Sequence, residues 1–335
     1  MRIAVIGCGA VGSLFAANLG TLDDVEVWAY DLWPEHVEAI NVSGLRLSGA
    51  GEVVGRVRAT TDPSELPPSD LGIVATKSQH TSAALAATAH VFAQGSVCSV
   101  QNGVGNEELV AEHVKQVIRG TTFPAGHVIE PGHVGWDTRG DTHIGPFEPS
   151  AAPMKDVIAL ADACTRAGMP THALEDARGA QWRKLIFNAA SNAIAALTGR
   201  THGQVAEPPT RDLAWAVMAE GRAVADAQGI TLDLSPEAGA RGDHVDQQVA
   251  DREEAHGHVA ARLRPAVREG MVEDVECVVG AGCDLEVLVG APVVDDDRQL
   301  TVVLAPEQPD LEPVADAMVQ LFLLPLDRLH ALTVP

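Results

Sequence analysis

The first dozen residues limit what this chain can fold into more than any other stretch. Residues 2–7 form an apolar, β-branched run that passes directly into Gly7-Cys8-Gly9-Ala10-Val11-Gly12, after which Val11, Phe15, Ala16 and Leu19 recur at helical spacing. A strand that turns through glycines into a helix has a defined use for each of them. Gly7 permits the tight turn, Gly9 leaves the backbone bare where a pyrophosphate approaches, and Gly12 lets helix and strand pack closely. The unpaired N–H groups of the helix N-terminus then face the anion. A second strand, Val25-Glu26-Val27-Trp28-Ala29-Tyr30, ends in Asp31, roughly 20 residues past the last glycine, which completes a βαβ unit. The context predicts a bound dinucleotide held by Gly7, Cys8, Gly9, Ala10, Val11, Gly12 and Asp31.

Asp31 also bears on which dinucleotide is held. A carboxylate accepts hydrogen bonds from the adenosine ribose hydroxyls and repels a 2′-phosphate, so NAD(H) is expected over NADP(H). The alternative is a strand-end aspartate that faces solvent. Cys8 lies inside the turn, where a helix N-terminus acidifies a thiol unless the group is simply packed; packing is the preferred reading.

Further along, Leu71-Gly72-Ile73-Val74-Ala75-Thr76 and Gly95-Ser96-Val97-Cys98-Ser99-Val100 have the continuous apolar character of fully buried parallel strands. Each is followed by polar residues and a helical pattern. Alternating β and α at this spacing predicts an α/β fold with a doubly wound sheet. Gly126 to Phe147, with glycines between short alternating runs, is expected to form hairpins at the sheet's edge. After about Ser150 long alanine-rich helices take over, at Met154–Ala167, Gly179–Leu197 and Leu213–Gln228. Two domains are expected: 1–150, the dinucleotide-binding sheet, and 151–335, mostly α. Residues 234–258 are polar and acidic, weak helical patterns return at 259–267 and 272–279, and 280–306 has no clear pattern.

Composition removes several function classes. The 46 acidic and 23 basic residues give a formal charge of −23, which repels nucleic-acid phosphates and anionic lipids. No apolar run is long enough to span a membrane, and the N-terminus opens straight into a strand without an export signal. A cytoplasmic location is therefore expected. The five cysteines, Cys8, Cys98, Cys164, Cys277 and Cys283, form no CxxC pair and suggest neither a disulfide framework nor a zinc knuckle. His244, Asp246, His256 and His258 match no usual ligand spacing, so no metal is expected.

Only four of the basic residues are lysines, which makes Lys184 easy to weigh. At about 100° per residue, Trp182, Leu185, Ile186, Ala189, Ala193, Ala196 and Leu197 fall on one arc of a helix, and Lys184, Asn188, Ser191 and Asn192 on the other. A solvated face normally carries several charges. This one has a single cation followed by neutral hydrogen-bonding groups, and asparagine costs about 0.5 kcal/mol against alanine in a helix. The stripe is expected to line a ligand site.

At this point the sequence resembles the ketopantoate reductase (2-dehydropantoate 2-reductase) family through most of residues 1–230. The resemblance rests on Gly7–Gly12, Thr76-Lys77, Gln101-Asn102-Gly103-Val104, Gly120-Thr121-Thr122, His143-Ile144-Gly145, and Trp182-x-Lys184-Leu185-x-x-Asn188-x-x-x-Asn192 leading to Leu197-Thr198-Gly199. It implies an N-terminal Rossmann domain, a helical C-terminal domain with the active site in the cleft, and reduction of a 2-keto acid, usually with NADPH. By motif position, Lys184 becomes the general acid that protonates the carbonyl oxygen. Asn188 and Asn192 hold the substrate, Asn102 sits between cofactor and substrate, and Lys77 and Ala125 line the cofactor site. The residue types agree with the chemistry, since a partly buried ammonium both stabilises developing negative charge and donates a proton.

The sequence departs from the family pattern mainly at substrate positions. His202-Gly203 replaces an asparagine-glycine pair, and either Ala261 or Arg262 stands where the family has a serine. Glu273-Asp274-Val275-Glu276 places Asp274 where a cofactor-contacting glutamate is expected. Arg262 either binds a second carboxylate or belongs to a solvated face with Arg264 and Arg268. The expected function is therefore NAD(P)H-dependent reduction of a small 2-keto acid or related carbonyl or imine, with NADH favoured. Two alternatives stand beside it: authentic ketopantoate reduction in pantothenate synthesis, and a non-catalytic dinucleotide-binding regulator, which would have no use for Lys184. The expected partner is the small-molecule substrate, and a homodimer is compatible with the reading.

Overall fold

The structure, a computed structural model, describes residues 1–232. The expectations for Arg262, Asp274 and the His244–His258 neighbourhood lie outside the described residues. The chain forms two compact units, Met1–Ala177 and a second that begins at Arg178.

The first unit is built from β1 (Arg2–Ile6), α1 (Ala10–Leu19), β2 (Glu26–Tyr30), α2 (Pro34–Ser43), β3 (Leu45–Gly49), β4 (Val53–Gly55) and β5 (Val57–Thr60). There follow β6 (Leu71–Val74), α3 (Thr81–Thr88), β7 (Ser96–Ser99), α4 (Asn106–Ala111), β8 (Val117–Thr122), β9 (Ala125–Glu130), β10 (His133–Thr138) and β11 (Thr142–Pro146). The last elements of the unit are α5 (Met154–Arg166) and β12 (Thr171–Ala173). Eight strands form one sheet in the order β12-β11-β8-β7-β6-β1-β2-β5, parallel from β5 across to β8, with β11 antiparallel to β8. This is the doubly wound α/β sheet that the alternating pattern predicts.

Alternation along β1 feeds two cores, as the pleat requires. Ile3 and Val5 pack with Leu14 and Phe15 of α1 and Val157 and Leu160 of α5 on one face. Ala4 and Ile6 pack with Leu85 of α3 and Val110 of α4 on the other. Because α5 buries its apolar side in the first core, the unit runs to Ala177, past the boundary at 150 that the change of composition suggests. The open edge of β5 is closed by one side chain: Asn41 donates to the Ala59 carbonyl at 2.8 Å and accepts the Ala59 N–H at 2.9 Å.

Glycine-rich 126–147 divides between two sheets. Instead of hairpins at one edge, β9 and β10 pair antiparallel and join β3 and β4 in a separate sheet ordered β4-β3-β10-β9, while β11 extends the main sheet. Leu47, Val134 and Trp136 of this second sheet belong to the same core as α1. β12 adds one short strand to a region expected to be mostly helical; a strand of three residues is too short for a periodic signal.

In the second unit, α6 (Arg178–Thr198), α7 (His202–Val205) and α8 (Arg211–Ala227) are described. Ala189, Ala190 and Ile194 of α6 pack against Leu213, Ala214, Val217 and Met218. Gly221 lets α8 approach α6 closely, because a Cβ there would lie 2.8 Å from Ile186 Cγ1.

Candidate active site

The glycine turn follows β1, and each glycine has a steric reason. Gly7 has φ +86°, and a Cβ there would lie 2.7 Å from Thr76 Cγ2 and 2.8 Å from Thr76 N, so the end of β6 closes directly on the turn. A Cβ on Gly12 would collide with the Gly7 carbonyl. Around Gly9, by contrast, nothing lies within 4 Å of the Cβ position. That bare backbone at the N-terminus of α1 fits the approach of a pyrophosphate, and the donors it offers are N–H groups. Ala10 and Val11, half-buried, begin α1.

Asp31 is tied to this turn. Its carboxylate accepts the Cys8 N–H at 2.7 Å and the Trp33 N–H at 3.0 Å, which holds the end of β2 against the glycine loop. Cys8 itself is buried, and burial pushes its thiol up to about 12. It is a packing residue without thiolate character, as preferred from the sequence. Ser13 donates to the Cys8 carbonyl at 2.8 Å and steadies the loop from within.

Gln101 draws the remaining strand ends of this unit together. Its amide donates to the Thr76 carbonyl at 2.8 Å and to Thr81 Oγ1 at 2.7 Å, pinning the loop after β7 to the loop after β6. Half-buried Asn102 and exposed Lys77 sit on those two loops. Gly103 and Gly105, at φ +90° and +93°, carry the chain back into α4. Ala125 is exposed at the start of β9.

The second unit presents the lysine–asparagine stripe on α6. Lys184, Asn188 and Asn192 are all half-buried, and Trp182, Leu185, Ala189 and Ile194 are buried. Burial lowers the Lys184 ammonium from 10.5 to about 8. The helical phase needs correction at three positions. Ser191 is buried rather than on the open arc: its hydroxyl donates to the Phe187 carbonyl at 2.8 Å and lies 3.3 Å from Asn192 Oδ1, which it helps to orient. Ala196 and Leu197 are exposed at the end of the helix, where no element of the described residues covers them. His202 is exposed at the first position of α7, whose N-terminus is capped by Thr201 and Gln204.

Three large apolar side chains beside the predicted site residues are exposed, which the sequence does not indicate. Leu32 and Trp33 are exposed beside Asp31, and Phe187 is exposed one turn after Lys184. An apolar residue next to a functional one reads as core, so only the exposure found in the structure marks them. Among the described residues no cluster of three or more His, Cys, Asp or Glu side chains suits a metal, and no helix is long and apolar enough to cross a membrane.

Comparison with known proteins identifies the family. The family described as "Ketopantoate reductase PanE/ApbA" matches residues 3–149, and its C-terminal counterpart matches residues 176–294. The 2-dehydropantoate 2-reductase of Pyrococcus abyssi is 35% identical over 240 residues, covering 70% of this chain and 77% of that protein. The enzyme of the same name from Halobacterium salinarum is 31% identical over 287 residues, covering 84% and 90%. A crystal structure of a PanE/ApbA family ketopantoate reductase from Ralstonia eutropha superposes with a TM-score of 0.60 at 30% identity, covering 80% of this chain and 98% of that one. With both halves matched and relatives of this similarity across most of its length, the chain belongs to the ketopantoate reductase family.

Proposed function

We propose that this chain reduces a small 2-keto acid to the 2-hydroxy acid with a nicotinamide dinucleotide, NADH being preferred to NADPH. The dinucleotide supplies the hydride when bound. As negative charge gathers on the substrate's carbonyl oxygen, the Lys184 ammonium neutralises it and passes its Nζ proton to that oxygen. The observation that carries this reading is the desolvated Lys184: an ammonium lowered to about 8 is a stronger acid than an exposed lysine yet remains mostly protonated at neutral pH.

Asn188 and Asn192, one and two turns beyond Lys184, offer carboxamides that orient the keto acid. Asn102 and His202 belong to the same substrate set, with Arg262 as the group for a second carboxylate. Gly7, Cys8, Gly9, Ala10, Val11 and Gly12 hold the pyrophosphate, Asp31 the adenosine ribose, and Lys77, Ala125 and Asp274 complete the cofactor side. NADH is favoured because Asp31 places a carboxylate where a 2′-phosphate would otherwise sit.

The test is a spectrophotometric panel of 2-keto acids and imines, each run with NADH and with NADPH. Turnover of at least one 2-keto acid, with the higher kcat/KM for NADH, is expected. A clear NADPH preference would remove the cofactor assignment, and no turnover on any member would remove the activity. A second reading, reduction of 2-dehydropantoate itself, is favoured by the names of the curated relatives. In that case 2-dehydropantoate has the highest kcat/KM of the panel.

A further inference from the structure

We propose that Leu32 and Trp33 form the surface on which the adenine ring of the dinucleotide lies, with the Trp33 indole as the stacking platform and His36 as its support. This rests on the reading that the glycine turn binds a dinucleotide, and it adds the residues that recognise the base. Asp31 fixes the place: its carboxylate is bonded to both Cys8 N and Trp33 N, so residues 31–33 are locked beside the turn. A ribose held by Asp31 carries its adenine on the neighbouring carbon, within reach of the side chains that follow.

Those two side chains are apolar and exposed, Leu32 at 75% and Trp33 at 39%, whereas Val37 and Ile40 on the helix that follows are buried. An exposed tryptophan beside a ligand-binding carboxylate calls for a partner, because so large an apolar surface is usually covered. The indole is also held in place. It stacks on the His36 ring with centroids 5.2 Å apart and planes 8° from parallel. His36 in turn is 1% exposed, and its Nδ1 accepts the Gly132 N–H at 3.0 Å. One indole face is therefore backed by a fixed, buried ring, and a flat base can stack against the other at little ordering cost. Burial lowers the imidazole below its usual value, against the opposing pull of Asp31 and the Cys8 backbone, so the support is a neutral ring.

The same residues favour an unphosphorylated ribose. Residues 31–36, Asp-Leu-Trp-Pro-Glu-His, contain no lysine or arginine to meet a 2′-phosphate. Loss of a base-stacking aromatic typically weakens binding about 5- to 100-fold.

The experiment is calorimetric titration of ADP-ribose, which carries adenine, ribose and pyrophosphate but needs no turnover, into the full chain and its W33A, W33F and L32A variants. W33A is expected to bind about tenfold or more weakly, W33F within about threefold of wild type, and L32A in between. ADP-ribose, but not ribose 5-phosphate, should quench the part of the tryptophan emission that W33F lacks. Affinity unchanged in a folded W33A, or absence of that quench in wild type, overturns the platform alone. Failure of wild type to bind ADP-ribose at millimolar concentration overturns the dinucleotide reading as well. Thermal unfolding checks the fold; where W33A does not fold, L32A and the wild-type quench decide the matter by the same criteria.

Discussion

In the proposed function the backbone is the functional surface at the turn between β1 and α1, whereas along α6 that role falls to side chains on an otherwise ordinary helix. The turn works because side chains are absent: Gly12 has no room for a Cβ, Gly7 needs φ +86°, and Gly9 stays open. The proposed role of the α6 stripe depends on one side chain, Lys184, which burial lowers from 10.5 to about 8. Steric requirements of the first kind leave few permitted sequences. Placement of the second kind depends on what surrounds the helix, which no local pattern specifies.

The contrast breaks most sharply at Lys184. Replacing it with alanine should lower kcat for keto acid reduction by about 100-fold or more, since the proton donor is lost. ADP-ribose affinity should be unchanged, because the turn does not depend on that side chain. A parallel loss of ADP-ribose binding would show that the two regions are not functionally separable. Gly12→Ala should do the reverse. Its Cβ runs into the Gly7 carbonyl, so ADP-ribose binding should fall at least about tenfold and stability by roughly 1–3 kcal/mol, as for an overpacked site. Calorimetry and thermal unfolding measure both; wild-type values would mean the turn tolerates a side chain.

A smaller effect sharpens the comparison at its electrostatic margin. Asp31→Asn removes the charge proposed to repel a 2′-phosphate and keeps one acceptor oxygen, which can serve Cys8 N or Trp33 N but not both, since the two bond to different carboxylate oxygens. The ratio of kcat/KM for NADH to that for NADPH should drop by up to about tenfold, the range of a single charge-assisted contact. An unchanged ratio would place cofactor choice elsewhere.

These two regions also differ in how far their sequences disclosed them. β1, α1, β2 and Asp31 follow directly from the glycine spacing, and α6 and α8 from their apolar period, each within two residues of the observed ends, whereas α7, a single turn, has no periodic signal. The side-chain stripe was read less well. At about 100° per residue Ser191 falls on the open arc with Lys184, yet its hydroxyl is satisfied by the Phe187 carbonyl of its own helix and it is buried. The same spacing puts Leu197 on the apolar arc, yet it is 59% exposed at the helix end, where no element of the described residues covers it. β3 and β4 give no alternation long enough to notice, and α2 begins at Pro34 after Trp33, an N-cap residue without a side-chain cap, leaving Pro34 as the main mark of its beginning. The exposure of Leu32 and Trp33 has no sequence mark either, because apolar residues at a strand end read as core.

The central claim, that a desolvated Lys184 donates the proton, is tested most directly by the pH dependence of kcat/KM for reduction. The acid must be protonated to act, so the rate should hold below and fall above about pH 8, where the ammonium loses its proton. In Lys184→Arg, whose guanidinium stays protonated across the accessible range, that alkaline limb should vanish along with most of the rate. A limb near pH 8 that persists in the arginine variant at near-normal rate would contradict the assignment.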